Sequence, residues 1–280
     1  MSLADSQKFC ADRVRRLDPD RYLSSLFATD ETRSALLALY AFNLELATIC
    51  DTVSEPLIGR MRLQWWRDAL AKMIAGEEIR HGICDALART LKIEDLPLHL
   101  LTQMIEGREF DLAGRPPVNM AEIETYLDST AVNIVALGSA VLGDPRPPGD
   151  ELARYAGRAM GLAGLIRMIP HDSRNGRIRL PDDLMRRAGV GGGPILAGRI
   201  DAGHADIIKS IAELARENLE RVRQARPRRP RLVAFLPLCL VADYLARLAR
   251  ANHNPFVPGL EPGRVSRQIR LTRAAWRGRL

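Results

Sequence analysis

The sequence predicts an all-α protein, built as a single domain of eight or more helices. Apolar residues recur at three- and four-residue intervals over long stretches. No pair of alternating strands joined by a hairpin turn signature appears between those stretches. The chain has 280 residues, 46% of them hydrophobic, which is enough to bury an extensive core.

The first clear element is 31–53, ETRSALLALYAFNLELATICDTV, where Leu36, Leu37, Tyr40, Leu44 and Ala47 share the helical spacing. The same periodicity predicts helices over 57–75, 82–92, 96–113, 120–142, 150–168, 201–223 and 232–250. Breaks are expected where proline and glycine gather: GDPRPPGD at 143–150, AGVGGGP at 188–194, RPRRP at 226–230 and NPFVPGLEPG at 254–263. Their spacing is too uneven for a solenoid repeat, and none is long enough to mark a domain linker. Two elements, TAVNIVALGSAVLG and ELARYAGRAMGLAGLIRMI, are apolar or small around most of their circumference, which places them inside a bundle. Their small residues let backbones approach closely, and equally leave room for a long apolar ligand in a central cavity.

Several function classes drop out. The N-terminal stretch has no continuous apolar region that would mark it for secretion. The apolar run Leu232 to Ala242 is well short of the roughly 20 residues that span a bilayer. Cysteines 10, 50, 84 and 239 form no CxxC or Cys/His cluster, so they read as buried thiols in a reducing compartment, and a cytoplasmic location is expected. GxGxxG, P-loop, HExxH and GxSxG motifs are absent.

The net charge of +7 is unevenly spread. Arg221, Arg223, Arg226, Arg228, Arg229 and Arg231 crowd one segment, and the last seventeen residues, from Arg264, hold six arginines and no acid. Such runs form solvated faces or bind anionic lipid, nucleic acid or acidic protein. Trp276 is the only aromatic in the tail, so no nucleic-acid partner is expected. The stretch QIRLTRAAWRGRL mixes Ile269, Leu271 and Trp276 with arginines, a composition suited to lying on an anionic membrane surface. The domain is accordingly drawn over 1–263, with 264–280 as a basic C-terminal tail.

Seven segments occur in an order that resembles the squalene/phytoene synthase family. They are RYLSSLF near residue 21, ALYAFNLELATICDTVSE at 38–55, RLQWWRDAL at 62–70, EGREFDL at 106–112, YLDSTAVNIVALGSAVLG at 126–143, the NGRIRLP that follows Asp172, and LPLCLVADYLARL at 236–248. The resemblance covers most of the chain. It implies an isoprenoid-synthase-like helical bundle with a central cavity, in which two DxxxD motifs hold magnesium ions that help prenyl diphosphates ionise. A four-residue interval puts both carboxylates of such a motif on one helical face.

Here the residue four before Asp51 is Ala47, and the residue four before Asp172 is Met168. Each motif has lost its first carboxylate. Glu55 shares the spacing of Asp51, but Pro56 biases it out of helical geometry. Glu45 lies about 240° around the helix from Asp51. Pro170 is expected to interrupt the turn that would align Met168 with Asp172. A hard magnesium ion would not choose Met168 or His171. No catalytic residue and no metal ligand is therefore assigned, and Asp51 and Asp172 stand as residual motif positions.

The same departures resemble a divergent branch of the family, typified by a mitochondrial assembly factor for respiratory complex I. That likeness implies a non-catalytic protein acting in complex assembly, peripheral at the inner membrane, with an assembly-partner protein and room for an isoprenoid or lipid ligand. The alternative is a magnesium-dependent head-to-head prenyltransferase acting on farnesyl or geranylgeranyl diphosphate, the only case needing a cofactor. Arg167, Arg174, Arg177 and Arg179 could contact a diphosphate or another anion bidentately, or pair with Asp172, Asp182 and Asp183. Trp65 and Trp66 read as packing groups, Arg62 and Arg67 as partners of Asp68 or a nearby carboxylate, and Asp111 as a pairing or capping residue.

Overall fold

Apolar periodicity becomes helix almost everywhere in the computed structural model, which describes residues 2–143, 151–227 and 229–280. In chain order the helices are α1 (Leu3–Leu17), α2 (Pro19–Ser25), α3 (Asp30–Ala47), α4 (Ile49–Thr52), α5 (Pro56–Ile74), α6 (Gly82–Ile93), α7 (Leu98–Gly107), α8 (Met120–Leu127) and α9 (Asn133–Val141). They continue as α10 (Glu151–Arg174), α11 (Asp182–Arg187), α12 (Gly193–Leu196), α13 (Ala202–Ala225), α14 (Leu232–Phe235), α15 (Leu238–Arg250) and α16 (Arg264–Arg277). A 3₁₀ turn (Arg108–Leu112) extends α7, and a π turn (Asp128–Val132) joins α8 to α9. No strand occurs among the described residues. The break expected at 143–150 lies, apart from Gly143, outside the described residues, as does Arg228 of the arginine cluster.

The helices start where side chains satisfy their first free N–H groups. Ser2 and Asp5 form a capping box on α1, Thr29 accepts from the Thr32 N–H at the start of α3, and Asn119 accepts from Glu122 N–H at the start of α8. Pro occupies the first turn of α2 and α5, where its missing N–H breaks no bond.

The long helix α10 runs through the centre, packed lengthwise on α13 and flanked by the π turn, α9 and α15. Its glycines make that possible. An added Cβ on Gly157 would stand 2.4 Å from Val132 Cα, and one on Gly161 would stand 2.5 Å from Leu127 Cδ2. The segment Leu232–Arg250 is apolar and long enough to cross a membrane, yet 67% of its most apolar window is buried inside the bundle, as in a core helix.

Two expectations need correction. The helix predicted over 150–168 continues through Pro170 to Arg174. A mid-helix proline costs about 3 kcal/mol, and here the burial of Ile166 and Ile169 and the pairing of Asp172 with Arg177 and Arg179 offset the lost bond. Met168 and Asp172 therefore do lie one helical turn apart. The segment 264–280 is also more than a tail. It forms α16, which buries Leu271, Ala274 and Ala275 against Leu232, Leu236 and Leu240. Leu271 is thus withdrawn from any membrane-facing surface.

Candidate functional site

One cleft of about 540 Å³ opens into the bundle between α2, α3, the π turn and α10. Its inner wall is apolar or small: Ala47, Thr130, Ala131, Ile134, Gly161 and Gly164. Ala47 and Met168 both line it, as do Asp51 and Asp172, so the two residual motifs face one space. Glu55 is extended and Glu45 turns away to pair with Arg13, so neither restores a missing carboxylate.

Both aspartates are already engaged. Helix α10 ends at Arg174, and Gly176 takes a left-handed conformation (φ +70°) that turns the chain back, with Arg177 N–H bonded to the Asp172 carbonyl at 2.8 Å. That turn brings the Arg177 side chain over the helix end. Its Nε donates to Asp172 Oδ1 at 2.9 Å, and its Nη2 donates to Asp51 Oδ1. One guanidinium thus bridges the two motif positions. Arg179 donates from Nε to Asp172 Oδ2 at 3.2 Å and from Nη1 to Asp111 Oδ1 at 2.7 Å.

Behind them, Arg108 Nη1 donates to Asp111 Oδ2 at 3.1 Å and to the Tyr126 hydroxyl at 2.7 Å, and Tyr126 donates in turn to Asp111. Phe110 stacks on Tyr126 with centroids 4.4 Å apart, and Arg179 lies over Phe110. Three carboxylates, Asp51, Asp111 and Asp172, are matched by three guanidiniums, Arg108, Arg177 and Arg179. His171 Nε2 adds a contact to Asp51 at 3.3 Å.

The cluster fits arginine and does not fit magnesium. The ion needs oxygen ligands at close range, and the oxygens here already accept charged hydrogen bonds. No group of three or more His, Cys, Asp or Glu among the described residues is arranged to hold a metal. Cys50 offers no thiolate, because burial pushes its thiol up to about 11.

Burial pulls the Asp51 carboxyl upward, but its bonds to Arg177 and His171 outweigh this and hold it below the ordinary carboxylate value. A lowered native pKa contributes stability above the unfolded value and loses it as pH falls through the native one. The melting temperature is expected to drop below about pH 4 more steeply in the parent than in Asp51→Asn. Parallel curves between pH 6 and 3, set by general acid unfolding, would contradict that role for Asp51.

The other candidates separate. Arg167 is not part of this cluster: it clamps Glu261 with Nε–Oε1 2.6 Å and Nη2–Oε2 2.7 Å, with Asp20 at 3.8 Å. Arg267 of α16 reaches the same Asp20 at 3.0 Å, so a second ion cluster forms another rim of the cleft. Arg174 is exposed and does not line the cleft, so it is withdrawn as an anion contact there. Asp182 and Asp183 pair with Arg186 and Arg187 one turn along α11. Trp66 is core, while Trp65 is half-exposed, edge-on to His81. Arg67 pairs with Glu109, and Arg62 donates to the Thr52 hydroxyl. Arg108 and Tyr126 were missed from sequence, although both sit within the quoted family segments and Arg108 precedes Asp111 by three residues.

Residues 14–276 match the squalene/phytoene synthase family. The chain is 30% identical to complex I assembly factor 6 of Rattus norvegicus over 279 residues, covering 99% of this chain and 84% of that one. It is 31% identical to the complex I assembly factor 6 homolog of Drosophila melanogaster over 258 residues, covering 88% and 76%. Among solved structures it is similar to a dehydrosqualene synthase in complex with ligand, with TM-score 0.85, 17% identity, and 98% and 96% of the two chains covered. That likeness supports the fold alone.

Proposed function

The chain belongs to the squalene/phytoene synthase family, and we propose that it is a non-catalytic member that keeps the synthase fold and assists assembly of respiratory complex I. The supporting observation is the pair of bridges made by Arg177 and Arg179. Where a synthase of this family would present paired carboxylates to metal, this chain presents Ala47 and Met168 and closes the remaining aspartates with its own cations. A guanidinium can hold carboxylates together, but it cannot supply the open coordination positions through which a metal grips a leaving diphosphate.

The cleft behind the bridge then serves as a structural feature or as a holding site for an apolar ligand. An assembly-partner protein belongs to the same proposal, on the strength of what the similar assembly factors are named for, and a peripheral location at the inner membrane belongs to it on the basic composition of residues 264–280.

The test has two arms. Purified protein with farnesyl or geranylgeranyl diphosphate and magnesium is expected to release no pyrophosphate above background. Deleting the gene in its host is expected to lower assembled complex I on a native gel, with restoration by the intact chain. Turnover in the first arm would revive the prenyltransferase reading, and a full complement of complex I in the deletion strain would end the assembly reading.

A further inference from the structure

Helix α16 has two faces. Its inner face is fixed: Leu271, Ala274 and Ala275 are buried, Arg267 pairs with Asp20, and Arg270 pairs with Asp243 at 2.8 Å. Its outer face carries Val265, Ile269 and Trp276, exposed by 69%, 60% and 83%. Separations of four and seven residues put these three within about 40° of one another around the helix. They form one apolar stripe along the outside of a helix that is itself anchored.

Arg273 and Arg277 follow the stripe on one side, both exposed and neither in an ion pair among the described residues. Val265 and Ile269 also line a groove of about 760 Å³ in which Arg273, Arg277 and Arg279 meet Arg223, paired with Glu220, and Arg270, paired with Asp243. No acidic residue lines that groove.

We infer that this face of α16 is a docking surface for an anionic phospholipid bilayer, with Val265, Ile269 and Trp276 entering the interface and Arg273, Arg277 and Arg279 taking the headgroup phosphates. The inference deepens, and in that sense rests on, the membrane location proposed above. Charge decides the occupant. Arg273, Arg277 and Arg279, which form no ion pair among the described residues, stand beside the apolar stripe and complement a continuous sheet of phosphates. Trp276 lies at the end of the stripe, where an indole suits the boundary between headgroups and acyl chains.

Co-sedimentation of the full chain with vesicles tests this, using phosphatidylcholine alone and phosphatidylcholine in which phosphatidylglycerol replaces part of the lipid. Binding is expected only with the anionic lipid and should weaken as salt shortens the reach of the arginines. Arg273→Gln with Arg277→Gln should weaken it about thirty-fold, at roughly one kcal/mol per arginine. Val265→Ser with Ile269→Ser and Trp276→Ser should weaken it comparably. All five positions are exposed, so folding is checked simply by unchanged circular dichroism and melting.

If the intact chain binds anionic vesicles and both variants bind equally well, the membrane location stands and the assignment to α16 falls. If the intact chain ignores anionic vesicles at low salt, both fall. A dimer in sedimentation velocity that the apolar triple variant dissolves would show that a second copy covers the stripe, and that too overturns the inference.

Discussion

Replacing Arg179 with leucine is expected to destabilise the protein by about 3–5 kcal/mol, the range for removing one partner from a buried ion pair. For a chain of this size that is a fall of about 5–10 °C in melting temperature. Arg179 and its two partners are almost wholly buried, with side-chain exposures of 10% for the arginine, 6% for Asp111 and 3% for Asp172. The variant leaves Asp111 with Arg108 and Asp172 with Arg177, each one cation short in a place water barely reaches. The penalty belongs to the stranded carboxylates more than to the lost attraction.

That distinction gives the control. Arg179→Leu combined with Asp172→Asn should recover part of the loss, because the neutral amide no longer needs a counter-charge. Arg179→Lys should recover less than a charge count suggests. A single ammonium cannot span Asp111 and Asp172 as the guanidinium fork does. A chemical-denaturation series in which Arg179→Leu costs under about 1 kcal/mol, the value of an exposed pair, would mean the cluster is solvated and the bridging account of the site is wrong.

The same cluster shows how far the sequence could be read. That Ala47 and Met168 stand four residues before Asp51 and Asp172 was visible, since it needs only a four-residue offset. The arginine bridges across the remaining aspartates were not. Arg179 meets Asp111 across 68 positions and Arg177 meets Asp51 across 126, and no local pattern encodes such pairings. Sequence left those arginines open between a phosphate and a carboxylate, and the left-handed turn at Gly176 brings Arg177 onto Asp172 and Asp51.

Long helices were legible for the opposite reason. Their apolar stripes repeat within the helix itself, so α5, α6 and α13 end within a few residues of the predicted bounds. Short helices such as α2, α11 and α12 hold too few turns to display a period. Helix α16 was hidden by its arginines, two of which turn out to be tied inward to Asp20 and Asp243.

Gly157→Ala and Gly164→Ala are expected to move stability in opposite directions, although both place alanine in the interior of α10. Intrinsic helix propensity favours each change by about 1 kcal/mol. At Gly164 nothing lies within 4 Å of the new methyl, which would project into open space beside the cleft, so most of that gain should survive. At Gly157 the methyl would stand 2.4 Å from Val132 Cα, 2.6 Å from Val132 N and 2.7 Å from the Ala131 carbonyl oxygen.

Those atoms are backbone, and they belong to the π turn, which Arg158 of α10 also ties to the helix by gripping Asp128 at 2.8 and 2.7 Å. No side chain can rotate out of the way. Either α10 or the turn must retreat, and the contact between α10 and that turn loosens along its length. Overpacking of this kind typically costs about 1–3 kcal/mol, and contact with rigid backbone puts Gly157→Ala at the upper end, a net loss of about 2 kcal/mol after the propensity gain. Because Thr130 and Ala131 line the cleft, the displacement should also reshape its wall. Equilibrium unfolding of the two variants side by side measures the difference. Stabilisation by both would mean that the close crossing of α10 over residues 131–132 is not what holds the bundle's centre together.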